Sequence, residues 1–199
     1  MATTTPNYGW AVPTSTDLVK DGATAIETLG DAIDASMNTA LGTKKAGMVL
    51  LNTTSFSAVA SQSVTDVFSS AYTNYVAVID FLGSGQNFGT VRLRTASDDT
   101  TSNYFWQRLI ADTTSVSGSA QASQTSFDIG KYSTGTTGRI LHFFKPNVAT
   151  STAFSSSIGS FNYISLYAGE MNTSTQYTGY SIIASSGTIT GQVKTYGFN

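Results

Sequence analysis

Few side chains in this sequence could do chemistry, and histidine is the scarcest of them. His142 is the only histidine and lies in the apolar run Ile140-Leu141-His142-Phe143-Phe144. A zinc site needs several nitrogen, sulfur or carboxylate ligands, but no carboxylate flanks His142 and the chain has no cysteine. We therefore interpret His142 as a core or interface residue with a hydrogen-bond partner, and the sequence predicts no metal site.

The adjacent carboxylates Asp98 and Asp99 are the second candidate for chemistry. They stand among the hydroxyl residues Ser97, Thr100 and Thr101. A glycosidase holds two carboxylates about 5–10 Å apart across a sugar cleft, whereas a tandem pair in a polar segment is typical of a solvated turn. We predict such a turn and keep both aspartates as candidate contacts for a glycan or a weakly bound calcium ion.

The glycine-rich segment 83–89 is similar to a phosphate-binding loop. Its third glycine comes one residue too late for the Gly-x-Gly-x-x-Gly pattern, and the sequence after it predicts a strand where that motif requires a helix. We predict a plain hairpin loop. Serines and aspartates are plentiful around the single histidine, but no Gly-x-Ser-x-Gly elbow occurs. The sequence therefore predicts neither an enzyme nor a cofactor.

Aromatic residues are the remaining candidates for binding. In a strand, Tyr104 and Trp106 fall on one face and Phe105 on the other, so one of these faces is expected outside the core. Exposed aromatic rings stack on sugars and anchor protein interfaces. We name Tyr104 and Trp106, with the two aspartates above, as candidate ligand contacts. The alternative is cross-strand packing or a subunit interface.

Composition argues against several classes of function. The 199 residues include 10 Lys and Arg against 12 Asp and Glu, so the chain lacks the basic excess with which nucleic-acid binders displace counterions. Charged residues make up 11%, against about 25% in ordinary soluble domains, so much of the polar surface is hydroxyl and amide. There is no run of about 18 apolar residues, which predicts no membrane insertion. We also find no signal peptide and expect synthesis in a cytoplasm.

A period-two pattern in residues 46–199 supplies the elements that must position these side chains. Val91 and Leu93 face one way while Arg92 and Arg94 face the other. Strands are predicted at 48–52, 74–81, 90–95, 104–110, 140–145, 161–167, 180–184 and 188–196. Residues 185–187 are predicted to join the last two strands as a hairpin turn. The pattern predicts an all-β fold, an antiparallel β-sandwich that is jelly-roll-like.

Two predicted strands, 74–81 and 140–145, carry large apolar residues on both faces. The residues on their second faces are Val76, Val78, Ile140 and Phe144. A strand with water on one side normally has a polar face there. The second face is therefore expected to be covered by a loop, by the N-terminal helix or by another subunit.

Residues 1–45 predict an aromatic lead-in and one short helix. Thr14, Ser15 or Thr16 would cap the helix, with Asp17 in its first turn and Gly42 at its end. Apolar or small residues recur at steps of three or four, at Val19, Gly22, Ile26, Leu29, Ile33 and Met37. A lone helix of this length is marginal in water. The stripe must therefore be buried, either on the chain's own β domain or against copies of itself or another protein.

Segments at both termini resemble bacteriophage virion proteins, especially short tail fibres and related appendages. Residues 8–17, Tyr-Gly-Trp-Ala-Val-Pro-Thr-Ser-Thr-Asp, continued by the Asp-Gly-Ala at 21–23 and by residues 26–30, resemble the lead-in at the head of many such proteins. Residues 185–199, Ser-Ser-Gly-Thr-Ile-Thr-Gly-Gln-Val-Lys-Thr-Tyr-Gly-Phe-Asn, are similar to the terminal strand of fibre-tip domains. Residues 68–75 are similar to an early strand of those domains.

This resemblance implies a homotrimer in a virion, assembled in the host cytoplasm. The N-terminal segment, with Tyr8, Trp10 and Pro13, would attach to another virion protein. The helix stripe would bundle, and the β-sandwich tip would face outward toward a host-surface glycan or protein. The alternative left open is a head fibre or capsid decoration protein with a purely structural, shell-stabilising role.

Overall fold

The computed structural model describes residues 3–14, 18–41, 47–85, 87–112, 114–132, 134–135, 137–160 and 163–199. The chain divides into two compact units, Met1–Ala46 and Gly47–Asn199, close to the division expected after residue 45. No helix in the part of the chain that the structure describes is both long and apolar enough to cross a membrane.

The first unit contains a short strand pair and one helix. Strands β1 (Thr3–Thr4) and β2 (Ala11–Val12) pair antiparallel. A 3-10 turn, Val19–Asp21, leads into helix α1, Gly22–Leu41. Alanine, leucine, glutamate and methionine favour this helix, and the Thr28 hydroxyl donates to the carbonyl of Thr24, one turn earlier, at 2.9 Å.

The helix begins later than the sequence predicted. Leu18 occupies the N-cap position and makes no side-chain capping bond, so the prediction of a cap at Thr14 is wrong. The other predicted start and stop residues, Ser15, Thr16, Asp17 and Gly42, lie outside the described residues. The prediction put the start of the helix too early because Ser, Thr and Asp favour turns as well as helix caps.

The second unit is an antiparallel β-sandwich, which confirms the predicted all-β fold preceded by a short helix. Its strands are β3 (Val49–Val59), β4 (Ser61–Val64), β5 (Asn74–Gly83), β6 (Asn87–Arg94), β7 (Tyr104–Asp112), β8 (Ser115–Gln124), β9 (Phe127–Tyr132), β10 (Thr137–Phe144), β11 (Thr152–Ser160), β12 (Tyr163–Met171), β13 (Gly179–Ala184) and β14 (Ile189–Phe198). An 8-stranded sheet has the order β3-β14-β5-β10-β11-β12-β7-β8, and a 4-stranded sheet has the order β4-β13-β6-β9.

An aromatic core holds the two sheets together. The rings of Phe127 from the small sheet and Phe154 from the large sheet stack at 4.4 Å between centroids. Val91 and Leu93 are fully buried, as their alternation predicted. Aromatic rings bury large areas and favour offset stacking or edge contacts, so this core fixes the large sheet's inner face.

Strands poor in large apolar residues escaped prediction. β4, β8 and β11 are rich in serine, alanine and glycine, and β9 is short and interrupted by Gly130. β3 extends to Val59, well beyond the predicted end at residue 52. Of the strand predicted at 161–167, the first two residues lie outside the described residues and the remainder belongs to β12.

Both predicted hairpin loops are instead crossings between the sheets. β13 lies in the small sheet and β14 in the large one, so residues 185–187 do not join paired strands. Residues 83–89 likewise pass from β5 to β6 in the other sheet. The Ser84 N–H donates to the Thr188 carbonyl at 2.9 Å, and the Thr188 N–H donates to Ser84 Oγ at 3.0 Å. These bonds tie the two crossings together at one corner.

Candidate interaction surfaces

Asp99 anchors a loop and does not form a solvated turn. Its carboxylate accepts hydrogen bonds from the Thr101 N–H at 2.9 Å, the Thr101 hydroxyl at 2.6 Å and the Tyr177 hydroxyl at 2.7 Å. Burial alone would raise the pKa of Asp99, but the hydrogen bonds outweigh it and hold that pKa below its usual value. These bonds occupy both oxygens that a glycan or calcium ion would have used.

Asp98 is also tied into the chain. Its Oδ1 accepts a hydrogen bond from the Ser181 hydroxyl at 2.6 Å and lies 3.6 Å from Arg94 Nε. The prediction of a solvated turn is wrong for both aspartates, because side chains distant in sequence meet them. Among the described residues, no group of three or more His, Asp or Glu side chains is placed to hold a metal ion.

The structure places the two aromatic candidates on the core side of β7. Tyr104 is fully buried, accepts a hydrogen bond from the Leu93 N–H at 3.1 Å and donates to the Asp99 carbonyl at 3.0 Å. Trp106 is only 9% exposed and packs against Tyr167. The prediction that Tyr104 and Trp106 form a ligand-contacting face is wrong, because the sandwich core takes that face of the strand.

His142 is half-buried on the outer face of the large sheet. Its Nδ1 lies 3.4 Å from Ser155 Oγ, and its ring stacks on Phe144 at 6.1 Å. This environment agrees with the interpretation of a histidine with a hydrogen-bond partner. The side chains around it on the same face are mostly apolar or small.

The lead-in residues predicted to attach to the virion lie along one side of α1. Trp10 donates from Nε1 to Ser36 Oγ at 2.9 Å, and Tyr8 stacks on the Trp10 ring at 5.1 Å. Pro13 borders a depression of about 390 Å³ that Thr24 and Thr28 of the helix also line. The structure therefore brings Tyr8 and Trp10 together and leaves Tyr8 largely exposed.

The helix stripe remains open on the other side. Val19 is 96% exposed and Ile26 is 66% exposed, Met37 is about half exposed, and Leu29 and Ile33 are partly covered. Of these five side chains, the four in α1 fall within an arc of about 80° at about 100° per residue, and Val19 precedes them in the 3-10 turn. We call all of them the helix seam, and the predicted Gly22 lies on the same arc at the first residue of α1.

The helix seam is separated from both the lead-in and the acidic residues. The lead-in contacts the adjoining side of the helix, which carries Ala25, Thr28 and Ser36. By the same helical geometry, the acidic residues lie about 100–160° around the helix from the middle of the seam. These residues are Glu27, Asp31 and Asp34. The seam is thus an apolar strip without charged side chains in it.

A second apolar surface lies on the outer face of the large sheet. We call it the sheet patch, and its members are Val78, Ile140, Leu109, Leu166, Ile164 and Val116, which are between 39% and 71% exposed. They align across the strands. Val78 lies opposite Ile140, Leu166 lies opposite Leu109, and Ser157 pairs with both Ile140 and Leu166. The patch therefore forms a continuous band.

In two strands under the sheet patch, β8 and β12, outward aliphatic residues stand next to serines on the inner face. In β8, Val116 lies opposite Ala111 on the outer face, while Ser119 lies opposite Arg108 on the inner face. Arg108 Nε donates to Ser119 Oγ at 2.8 Å. In β12, Ser165 is fully buried between two outward aliphatic residues. A sheet with one wet face has the reverse arrangement, so this outer face has the composition of a buried surface.

No protein-family model, curated protein or solved structure matches this chain. Function is therefore argued from the two apolar surfaces and the terminal segments. Sequence reasoning identified the helix seam and two members of the sheet patch, Val78 and Ile140, but missed the other four. A usable signal was present at 164–166, where two aliphatic residues flank a serine.

Proposed function

We propose that this protein is a bacteriophage structural protein that forms a short homotrimeric fibre on the virus particle. The observation that carries the proposal is the helix seam, in which Val19 and Ile26 are largely exposed although the chain's own lead-in lies against the neighbouring side of α1. The resemblance of both terminal segments to phage appendages supports the virion assignment and the number three.

Self-association would remove the energetic cost of the exposed seam. Fully burying one large aliphatic side chain contributes about 1.5–3 kcal/mol. A helix of 20 residues is marginal by itself in water. The seam residues Val19, Ile26 and Ile33 repeat every seven positions, which is the spacing of helices that wrap around each other. Copies of α1 can therefore meet along this strip while their acidic sides face solvent.

The exposed Tyr8 ring and the sandwich are assigned separate roles in this proposal. Tyr8, held on Trp10 by stacking at 5.1 Å, is available to anchor another virion protein, because aromatic rings give large contact areas at low entropic cost. The sandwich would be the outward tip that meets a host-surface glycan or protein. Its charge-poor, hydroxyl-rich surface carries few long flexible side chains, so ordering it on a partner costs less entropy.

Sedimentation mass tests the oligomer. The wild-type chain should sediment as three copies of 20.9 kDa, and the variant Ile26→Ser with Leu29→Ser and Ile33→Ser should sediment at a lower mass. The matched control, Glu27→Ser with Asp31→Ser and Asp34→Ser, changes acidic positions outside the seam of the same helix and should leave the mass unchanged. A monomeric wild-type chain contradicts the proposal.

The length of α1 favours a second candidate, a head fibre or capsid decoration protein. Its 20 residues span only about 30 Å at 1.5 Å per residue, which makes a stub and not a long shaft. Labelled antibodies viewed on particles by electron microscopy separate the two. Label on the tail, together with competition between purified protein and virus for host cells, supports the tail fibre, whereas label on the capsid without competition supports decoration.

A further inference from the structure

We propose that the sheet patch packs against a second copy of this chain, so that the sandwiches of the oligomer associate as well as the helices. The inference rests on the trimer proposed above and adds a second interface to it. It starts from the aliphatic residues that β8 and β12 present outward, Val116, Ile164 and Leu166, beside Ser119 and Ser165 on the inner face.

The outward positions between the patch side chains are small and uncharged. They are Ala111, Gly118, Gly138, Ser157 and Gly159. Charged residues on the same face stand outside this area. Lys194 and Asp80 lie beside Val78, and Glu170 lies further along β12. An apolar centre with a polar rim is the usual anatomy of a protein interface.

The size of the patch fits one side of a subunit contact. The patch spans six strands at roughly 4.8 Å spacing and two outward rows at roughly 6.8 Å, or about 390 Å². An apolar patch of about 300–600 Å² on a monomer is often functional. It is about half of the about 800 Å² that each partner contributes to a standard interface.

Charge and tethering identify the occupant as another copy. Residues 46–199 contain seven basic and seven acidic side chains, so two sandwiches approach without net repulsion. A helix bundle holds the sandwiches of one oligomer at an effective concentration of about millimolar. Flat sheet faces also pack well on each other, about 10 Å apart. A sandwich of the same oligomer therefore encounters the patch more often than other proteins do, and it matches the patch in shape and polarity.

The absence of native cysteine permits a direct test by thiol protection. Leu109→Cys and Ile164→Cys each place one thiol in the sheet patch, and Ser97→Cys places one at an exposed position between β6 and β7. A maleimide should label the two patch thiols in the native oligomer at least tenfold more slowly than the control thiol. After denaturation all three should react at the same rate. Equal native rates in a trimeric protein overturn the inference and leave the proposed function standing.

The same thiols introduced into the Ile26→Ser, Leu29→Ser, Ile33→Ser variant show what covers the patch. If that variant is monomeric, both patch thiols should become as reactive as the control. Protection that persists in the monomer means that the chain covers its own patch, which overturns the inference. Protection in a variant that remains trimeric supports the sheet interface and contradicts the role of the helix seam.

Introducing charge into the patch provides an independent measurement. Leu109→Lys with Leu166→Lys should weaken the oligomer at least tenfold in dissociation constant, since both lysines would be buried against a copy. These side chains are about half exposed in the single chain, so circular dichroism should show the sandwich intact. An unchanged dissociation constant contradicts the sheet interface. A wild-type chain that is monomeric overturns both proposals.

Discussion

The Asp99 carboxylate links a surface loop to a distant tyrosine, and its charge is part of the stability of the fold. Its hydrogen bonds from Thr101 and Tyr177 lower its pKa in the folded state. Burial is the main cause that raises the pKa of Tyr177 to about 12, and the hydrogen bond to Asp99 contributes in the same direction. Asp99 is therefore a carboxylate and Tyr177 a neutral phenol across the physiological pH range.

The free energy of unfolding, measured as a function of pH, should reveal the contribution of this carboxylate. Because its folded pKa lies below the unfolded value of about 3.9, its contribution is complete above that pH and is lost as the pH falls through the folded pKa. Urea unfolding should show that Asp99→Asn costs about 1 kcal/mol at pH 7 and less at about pH 3, below the unfolded pKa. Asp31→Asn, on the exposed side of α1, is the control. An equal cost of Asp99→Asn at both pH values would contradict the assignment.

Two serines are similarly buried, but replacing them with alanine is predicted to have opposite effects on stability. Ser165 and Ser181 are both almost fully buried. The Ser165 hydroxyl has no hydrogen-bond partner among the described residues, whereas Ser181 Oγ donates to Asp98 at 2.6 Å and lies 2.9 Å from Ser63 Oγ. A buried hydroxyl without a hydrogen-bond partner lowers the stability of the folded state. Removing a hydroxyl that has partners leaves those partners without a hydrogen bond, which also lowers stability.

The free energy of unfolding should separate the two serines. Ser165→Ala is expected to be neutral or to stabilise by up to about 1 kcal/mol, and Ser181→Ala to destabilise by about 1–3 kcal/mol. Urea midpoints at pH 7 measure both. A clear loss of stability in Ser165→Ala would show that this hydroxyl has a partner such as a buried water.

At the scale of elements, the sequence predicts those strands whose apolar residues alternate. β5, β7, β13 and the N-terminal helix follow from their periodicity. β8 does not, because its inner face is serine and its apolar residues point outward. Nor can alternation show which sheet a strand joins, so residues 185–187 gave the same signal as a hairpin. The two faces of Tyr104-Phe105-Trp106 were equally aromatic, and only the tertiary fold decided which one is buried.

The lead-in and α1 form one element through the bond between Trp10 and Ser36. Ser36→Ala removes the acceptor of a part-buried indole N–H and should loosen the lead-in by about 0.5–1.5 kcal/mol. Faster hydrogen exchange of the Trp10 indole in NMR spectra would measure this loosening. Thr39→Ala, whose hydroxyl donates to the Ala35 carbonyl within the same helix, should leave that exchange rate unchanged. Unaltered exchange in Ser36→Ala would show that other contacts hold Trp10.

At the scale of the whole molecule, the proposed assembly through the two apolar surfaces would be independent of charge. Neither the helix seam nor the sheet patch contains a charged side chain, and the helix positions flanking the seam include Ala23 and Gly30. Salt screens exposed charge pairs, but it does not weaken apolar burial. An assembly held by these two surfaces therefore differs from one held by ion pairs in its response to salt.

Raising sodium chloride from about 0.05 to 1 M should leave the sedimentation mass unchanged, because screening acts over about 10 Å at 0.1 M and less at higher salt. Folding coupled to association also makes Tm rise with protein concentration. The seam variant Ile26→Ser, Leu29→Ser, Ile33→Ser should lose that concentration dependence, since its copies no longer meet along α1. Two outcomes would contradict this prediction: dissociation by salt, and a wild-type Tm that is constant over a hundredfold range of protein concentration. Either would mean that contacts other than the helix seam and the sheet patch hold the copies of the chain together.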